Sequence, residues 1–274
     1  MILIGESINV MRKDISQAIK ERDKKPIQDL ALHQVEAGAD YLDLNIGPSR
    51  KEGPEIMEWM VNIVQDVVDV PLSLDTTNYL AIEAGLKVVK KRPIINSVSS
   101  QKERLKNTLP LAKKYNVPFV ALLLSDEGIP RDVSERANVL FEILSSSQAL
   151  GIPNEDVWVD PIVLPVSADQ KQMVEFVEFL KVIPDLVGEE LKTICGLSNV
   201  SNGSPKELRS ILNCTYLTML QEAGLYSAIV DVLDENILNT AKGKILDSFS
   251  SLDVEKTRSV LKNEVLYCHS WLEL

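Results

Sequence analysis

Residues 71–99 read PLSLDTTNYLAIEAGLKVVKKRPIINSVS, and the order of their parts decides the fold. PLSLDTT (71–77) and PIINSVS (93–99) are short apolar runs bounded by proline and polar residues, the signature of strands. Between them AIEAGLKVVKK (81–91) carries apolar residues at helical spacing. Thr77 and Asn78 precede it as cap candidates, because short polar side chains accept hydrogen bonds from the first free helix amides. Strand, helix and strand in this order form the repeating unit of a parallel sheet.

The same unit recurs in both directions. Further strand candidates are MILIGESIN (1–9), YLDLNIG (41–47), PFVALLLS (118–125), VWVDPIVLP (157–165), KTICGLSNV (192–200) and YSAIVDVLD (226–234). The eight starts lie 22 to 40 residues apart, room for one strand, one helix and two loops. PIQDLALHQVEAGA (26–39) reads as a helix with Pro26 in its first turn and Gly38 at its end. SPKELRSILNCTYLTMLQEAG (204–224) opens at Ser204–Pro205 and ends at Gly224, and residues 253–271 read as a final helix. The strands are apolar on both faces, as strands covered by helices should be. No linker or low-complexity tract divides the chain. Residues 1–274 are therefore expected to form one domain, an α/β (β/α)8 TIM barrel. An open doubly wound sheet would want a glycine-rich turn after the first strand, and GESINVMRKD (5–14) is not one.

Composition narrows the function classes. A chain of 274 residues that is 45% hydrophobic builds a full core without disulfides or structural metal. With 40 acidic against 29 basic residues the net charge is −11, which argues against nucleic-acid binding. The longest clean apolar run, VPFVALLL (117–124), is too short to cross a bilayer. Residues 1–20 lack the apolar core of a signal peptide. Cys195, Cys214 and Cys268 form no CxxC motif, so reduced thiols and a cytoplasmic location are expected.

In such a barrel, function sits at the carboxyl ends of the strands. Those ends carry Glu6 and Asn9, Asp43 and Asn45, Asp75, Asn96, Ser125, Asp160, Asn199, and finally Asp231 with Asp234. Almost every strand thus ends in a carboxylate or a carboxamide, which describes a polar bowl rather than isolated loop caps. No lysine stands there to form a Schiff base, and neither histidine, His33 nor His269, lies there as base or metal ligand. The eighth strand runs into VDVLDEN (230–236), whose charge repels phosphate. A neutral, hydrogen-bonding ligand suits this bowl. A pterin presents parallel N–H donors that a carboxylate accepts in a fork, while its carbonyl and ring nitrogens want carboxamides. Asp75, Asn96 and Asp160 could line one edge of such a ring. A Mg²⁺ site built from Glu6, Asp75 and Asp160 competes with this reading.

The runs IGESIN (4–9), DLNIGP (43–48), LDTTN (74–78), INS (95–97), DPIVLP (160–165) and GLSNVS (196–201), in this order, resemble the pterin-binding methyltransferases. Within them the resemblance is strongest to the methyltetrahydrofolate:corrinoid/iron-sulfur protein methyltransferases of the reductive acetyl-CoA pathway. It spans essentially the whole chain and extends, more weakly, to the folate domain of cobalamin-dependent methionine synthase. It implies a (β/α)8 barrel that is usually a homodimer. By residue, it implies pterin binding by Asp75, Asn96 and Asp160, and a hydrogen bond from Asn199 to N5 of the folate. It sets Asp43 and Asn45 near that site and Arg209 near its outer part, with Glu6 and Asn202 among the substrate-contacting positions. Two positions depart from the family: Ser7 stands where Arg is common, and Asn202 where relatives vary.

The implied reaction moves a methyl group between N5 of methyltetrahydrofolate and the cobalt of a corrinoid. The chain contains no DxHxxG cobalamin motif, so a partner corrinoid protein is expected to bring the cobalamin, and no metal is expected to be bound by the chain itself. Dihydropteroate synthase is the alternative within the same barrel. It would want a lysine in the later strand-end loops, and GLSNVSNGS (196–204) has none. A divalent-metal lyase is the other alternative.

Overall fold

The computed structural model describes residues 1–48, 51–244 and 248–273. Eight strands appear, one inside each candidate run: β1 (Ile2–Gly5), β2 (Tyr41–Asn45), β3 (Leu72–Asp75), β4 (Ile94–Ser99), β5 (Phe119–Leu122), β6 (Val157–Asp160), β7 (Lys192–Gly196) and β8 (Ser227–Val230). Each pairs in parallel with the next, and β8 pairs with β1, closing a (β/α)8 barrel. Among the described residues the helices are α1 (Lys13–Glu21), α2 (Lys24–Ala37), α3 (Gly53–Gln65), α4 (Tyr79–Val88), α5 (Lys102–Asn107), α6 (Leu109–Tyr115), α7 (Val133–Ala149), α8 (Lys171–Val187), α9 (Arg209–Glu222), α10 (Glu235–Ala241) and α11 (Ser251–Leu261). No described helix is long and apolar enough to cross a membrane.

The expected boundary signals operate. Asn78 accepts from the Leu80 and Ala81 amides at the start of α4. Gly38 ends α2 with φ 115°, a conformation that glycine adopts without penalty. Pro26 lies in the first turn of α2, which Asp23 caps by accepting from the Lys25 amide. Three expectations are corrected. The helix expected from Ser204 begins instead as a short 3₁₀ turn at Lys206–Leu208, with α9 proper starting at Arg209. The final helix ends at Leu261 rather than reaching 271, because Asn263 turns left-handed (φ 60°). Ser125 is likewise not at a strand end. β5 stops at Leu122, and Ser125 exchanges backbone hydrogen bonds with Gly128 in a tight turn.

Most of the apolar core lies between strands and helices. A separate cluster of Ile4, Ile94, Val120, Trp158 and Ile194, with Tyr41 and Ile229 against it, plugs the barrel. Strand side chains alternate with a period of two. Two residues beyond the plug come Glu6, Asp43, Asn96, Asp160, Gly196 and Asp231. The plug therefore forms the floor on which the polar layer stands.

Candidate active site

Asp43 is 3% exposed, and its Oδ1 accepts from Ser73 Oγ (2.6 Å) and Asn96 Nδ2 (3.0 Å). Strand register sets Asn45 beside Asp75 and Asp75 beside Asn96. Asn45 Nδ2 donates to Asp75, while Asn45 Oδ1 accepts from the Gly47 amide (3.0 Å). The Asp43 and Asp75 carboxyls, on neighbouring strands, interact electrostatically. Burial pushes Asp43 up to about 6, held there by its bonds from Ser73 and Asn96. Asp75 rises further, through its own burial and the charge of Asp43. Burial thus holds both carboxyls above the ordinary carboxylate range.

Glu6 follows β1 and accepts from Ser198 Oγ (2.7 Å). Burial pushes its carboxyl up to about 7 against that bond, and Asp231 and Asp43 push the same way. Ser198 belongs to the 3₁₀ turn Leu197–Ser201, which carries Asn199, so Glu6 anchors that turn across the bowl. Asn199 is exposed, and its Nδ2 lies 3.1 Å from where a Cβ on Gly196 would stand. A side chain at 196 would press it outward by a few tenths of an ångström. Its carboxamide has no hydrogen-bond partner among the described residues. Asp160 is buried at the end of β6, where burial pushes it up to about 7. The Ile162 amide donates to its Oδ1 (2.8 Å).

The structure thus brings together Glu6, Asp43, Asn45, Asp75, Asn96 and Asp160 as the polar layer above the plug. Asn202 and Arg209 lie farther out on the loop after β7, both exposed. The Asn202 carbonyl accepts from Ser167 Oγ (3.2 Å), and Arg209 Nε donates to the Ser204 carbonyl (3.0 Å). Four contributors escaped the sequence reading: Ser73, Ser198, Arg104 and Arg136. Ser73 was within reach of pattern, two residues before Asp75 on one strand face. Arg104 on α5 donates to the Thr77 carbonyl (2.6 Å), and its charge counters the rise at Asp75. Among the described residues no group of three or more His, Cys, Asp and Glu side chains is placed to hold a metal ion. His33 and His269 are exposed, away from the strand ends.

The structure is a closed (β/α)8 barrel with carboxylates and carboxamides around its mouth. The sequence profile of the family described as "Pterin binding enzyme" matches residues 5–231, and the chain belongs to that family. The methylcorrinoid:tetrahydrofolate methyltransferase of Eubacterium limosum is 28% identical over 87% of this chain and 88% of its own length. Methionine synthase of Mycobacterium leprae is also 28% identical, over 84% of this chain and 20% of that longer protein. Among solved structures, Yersinia pestis DHPS with a pterine-sulfa conjugate superposes with a TM-score of 0.64 at 20% identity, covering 94% of both chains. At that identity the likeness is one of fold.

Proposed function

We propose that the protein transfers a methyl group between N5 of tetrahydrofolate and the cobalt of a corrinoid carried by a separate protein. The observation that carries this reading is Asn199. Among the described residues its carboxamide has no partner, and it stands at the mouth of a bowl whose Asp75 and Asp160 end β3 and β6 and whose Asn96 lies within β4 rather than at its expected end. The relative from Eubacterium limosum, matched over nearly its full length, supports the same reaction class.

The residues divide the work. A carboxylate of the bowl accepts the paired N–H donors of the pterin, and Asn96 meets its remaining ring atoms. N5 is a poor leaving group until it gains positive charge. Asn199, through its side-chain oxygen, accepts from protonated N5 and so favours the transition state over the ground state. Asn is no acid, so the proton comes from solvent through waters held by Asp43, Asp75 and Asp160; carboxyls shifted toward neutrality suit that relay. The corrinoid is the second substrate, supplying Co(I) as nucleophile in one direction and the methyl group in the other. The homodimer and the independence from bound metal belong to the same proposal.

The test is to mix the protein with methyltetrahydrofolate and a Co(I) corrinoid while following the cobalt spectrum. Conversion to the methylated corrinoid is expected, and it should survive exhaustive chelation. An unchanged spectrum with normal pterin binding would leave a pterin carrier instead. Loss on chelation, restored by Mg²⁺, would favour the metal lyase.

A further inference from the structure

We propose that Arg136 is a positioning residue for the pterin site: from beneath β6 it holds the Asp160–Pro161 turn and serves as the counter-charge of the Asp160 carboxylate. A charged residue on an amphipathic helix ordinarily faces water. Arg136 on α7 does the opposite and is 0% exposed. Its Nε donates to the Pro161 carbonyl (3.1 Å) and its Nη2 to Gln172 Oε1 (2.6 Å), while Nη1 is buried with no partner among the described residues. Every direct partner is neutral, so no contact cancels the charge. Stranding a cation in this way is costly, and the cost calls for a counter-ion nearby.

The groups acting on Arg136 are, strongest first, Tyr216 from α9, Glu175 from α8, Asp132 from the start of α7, and Asp160 from β6, while Glu135 on α7 also feels its charge but is paired with Arg131. Three of them are engaged elsewhere. Tyr216 donates to the Met173 carbonyl (3.1 Å) and burial keeps its hydroxyl protonated. Glu175 pairs with Lys171 (3.2 Å) and accepts from the Val133 amide (3.2 Å). Asp132 accepts from the Glu135 amide (2.9 Å) as the cap of α7. Asp160 accepts from the Ile162 amide on Oδ1, and its side chain has no other hydrogen bond among the described residues. On the β7 side Asp160 faces the Cys195 thiol, which burial also keeps protonated. Arg136 is thus the cation set against the burial of Asp160. The link matters because only an ionised Asp160 accepts both pterin donors. The inference rests on Asp160 as a pterin ligand.

The test reads the two ideas separately. The Asp160 carboxyl is titrated by carbon NMR in the free protein, assigned by its loss in Asp160→Asn. In Arg136→Met its midpoint should move alkaline by about one pH unit or more, and in Arg136→Lys it should stay near wild type. Methyltetrahydrofolate affinity should then fall roughly tenfold at neutral pH in Arg136→Met and recover at higher pH. A purely structural role would weaken binding equally at every pH. An unmoved Asp160 midpoint overturns the inference. A midpoint that moves while affinity does not leaves Arg136 as counter-charge and removes Asp160 from the pterin site. If Arg136→Met does not fold, the wild-type guanidinium decides: its Nε signal should titrate in step with Asp160 and become flat in Asp160→Asn. A flat signal in the wild type overturns the proposal.

Discussion

Burial raises Glu6, Asp43, Asp75 and Asp160 above their ordinary range, and the consequence for stability has a definite sign. Glu6 titrates ordinarily near 4.5 but is raised to about 7 in the folded protein. Between those values the folded state keeps a proton that the unfolded chain gives up. This stabilising contribution is complete below the unfolded value and is lost as pH rises through the folded one. Glu6→Gln keeps an oxygen for Ser198 and removes the titration. The variant should therefore gain on wild type between about pH 5 and pH 8, by about 2 kcal/mol in denaturant unfolding. A gap that does not change with pH would show Glu6 charged throughout. Asp75→Ala and Asp160→Ala each leave pterin donors unpaired in a partly dry site. Each should weaken methyltetrahydrofolate binding by about 1–3 kcal/mol, read by calorimetric titration. Unchanged affinity in both would sink the pterin assignment. Asn199→Ala acts on the rate instead. Single-turnover methyl transfer at saturating folate should slow by about 10²–10³, the usual effect of losing one hydrogen bond to developing charge. A rate equal to wild type with only affinity reduced would make Asn199 a binding residue alone.

At the scale of elements, the strands were readable because parallel strands covered on both faces are continuous apolar runs with few alternatives. The bowl was readable for a related reason: polar residues that interrupt or close such apolar runs have nowhere to point but the mouth. Asp43, Asp75, Asn96 and Asp160 were all visible in this way. Side chains that support them from elsewhere were not. Arg136 sits in a helix where a charge signals solvent, and Ser198 gains its role only when the turn after β7 comes over Glu6. Helix ends were readable where glycine or a capping side chain marks them. The end of α11 was missed although Asn263, a residue tolerant of left-handed backbone, stood there as a signal. Contact between elements is also beyond pattern. α2 meets β1 through Gln34, fully buried, whose Oε1 accepts from the Ser7 amide (3.0 Å) beside Glu6. A Cβ on Gly5 would stand 2.5 Å from that oxygen and 3.2 Å from Leu42 Cδ2. Gly5→Ala should push Gln34 off Ser7 and cost about 1–3 kcal/mol in denaturant unfolding. An unchanged midpoint would mean that Gln34 yields freely.

Across the whole molecule, the segment after α11 ties together the two loops that flank Asp160 and Asn199. Gln170, after β6, donates through Nε2 to the Val260 and Val265 carbonyls (both 2.6 Å) and accepts from the Tyr267 amide (2.9 Å). Tyr267 in turn shares a hydrogen bond with Ser204 Oγ (2.7 Å), on the loop after β7. The anchor is Trp271, 1% exposed, whose Nε1 donates to Thr257 Oγ1 (3.0 Å). The barrel thus closes twice: through the β1–β8 ladder, and again at its rim by a strap from the carboxyl-terminal segment. The two kinds of closure should separate on mutation. Trp271→Ala empties a packed site and should cost about 3–5 kcal/mol of stability. Tyr267→Phe keeps the packing and removes one hydroxyl, costing about 1 kcal/mol, yet it frees Ser204 and the loop leading back to Asn199. If the strap positions that loop, Tyr267→Phe should slow methyl transfer at saturating folate although it unfolds almost like wild type. If its turnover is unchanged, the strap serves stability alone, and Glu6 and Gly196 suffice to place Asn199.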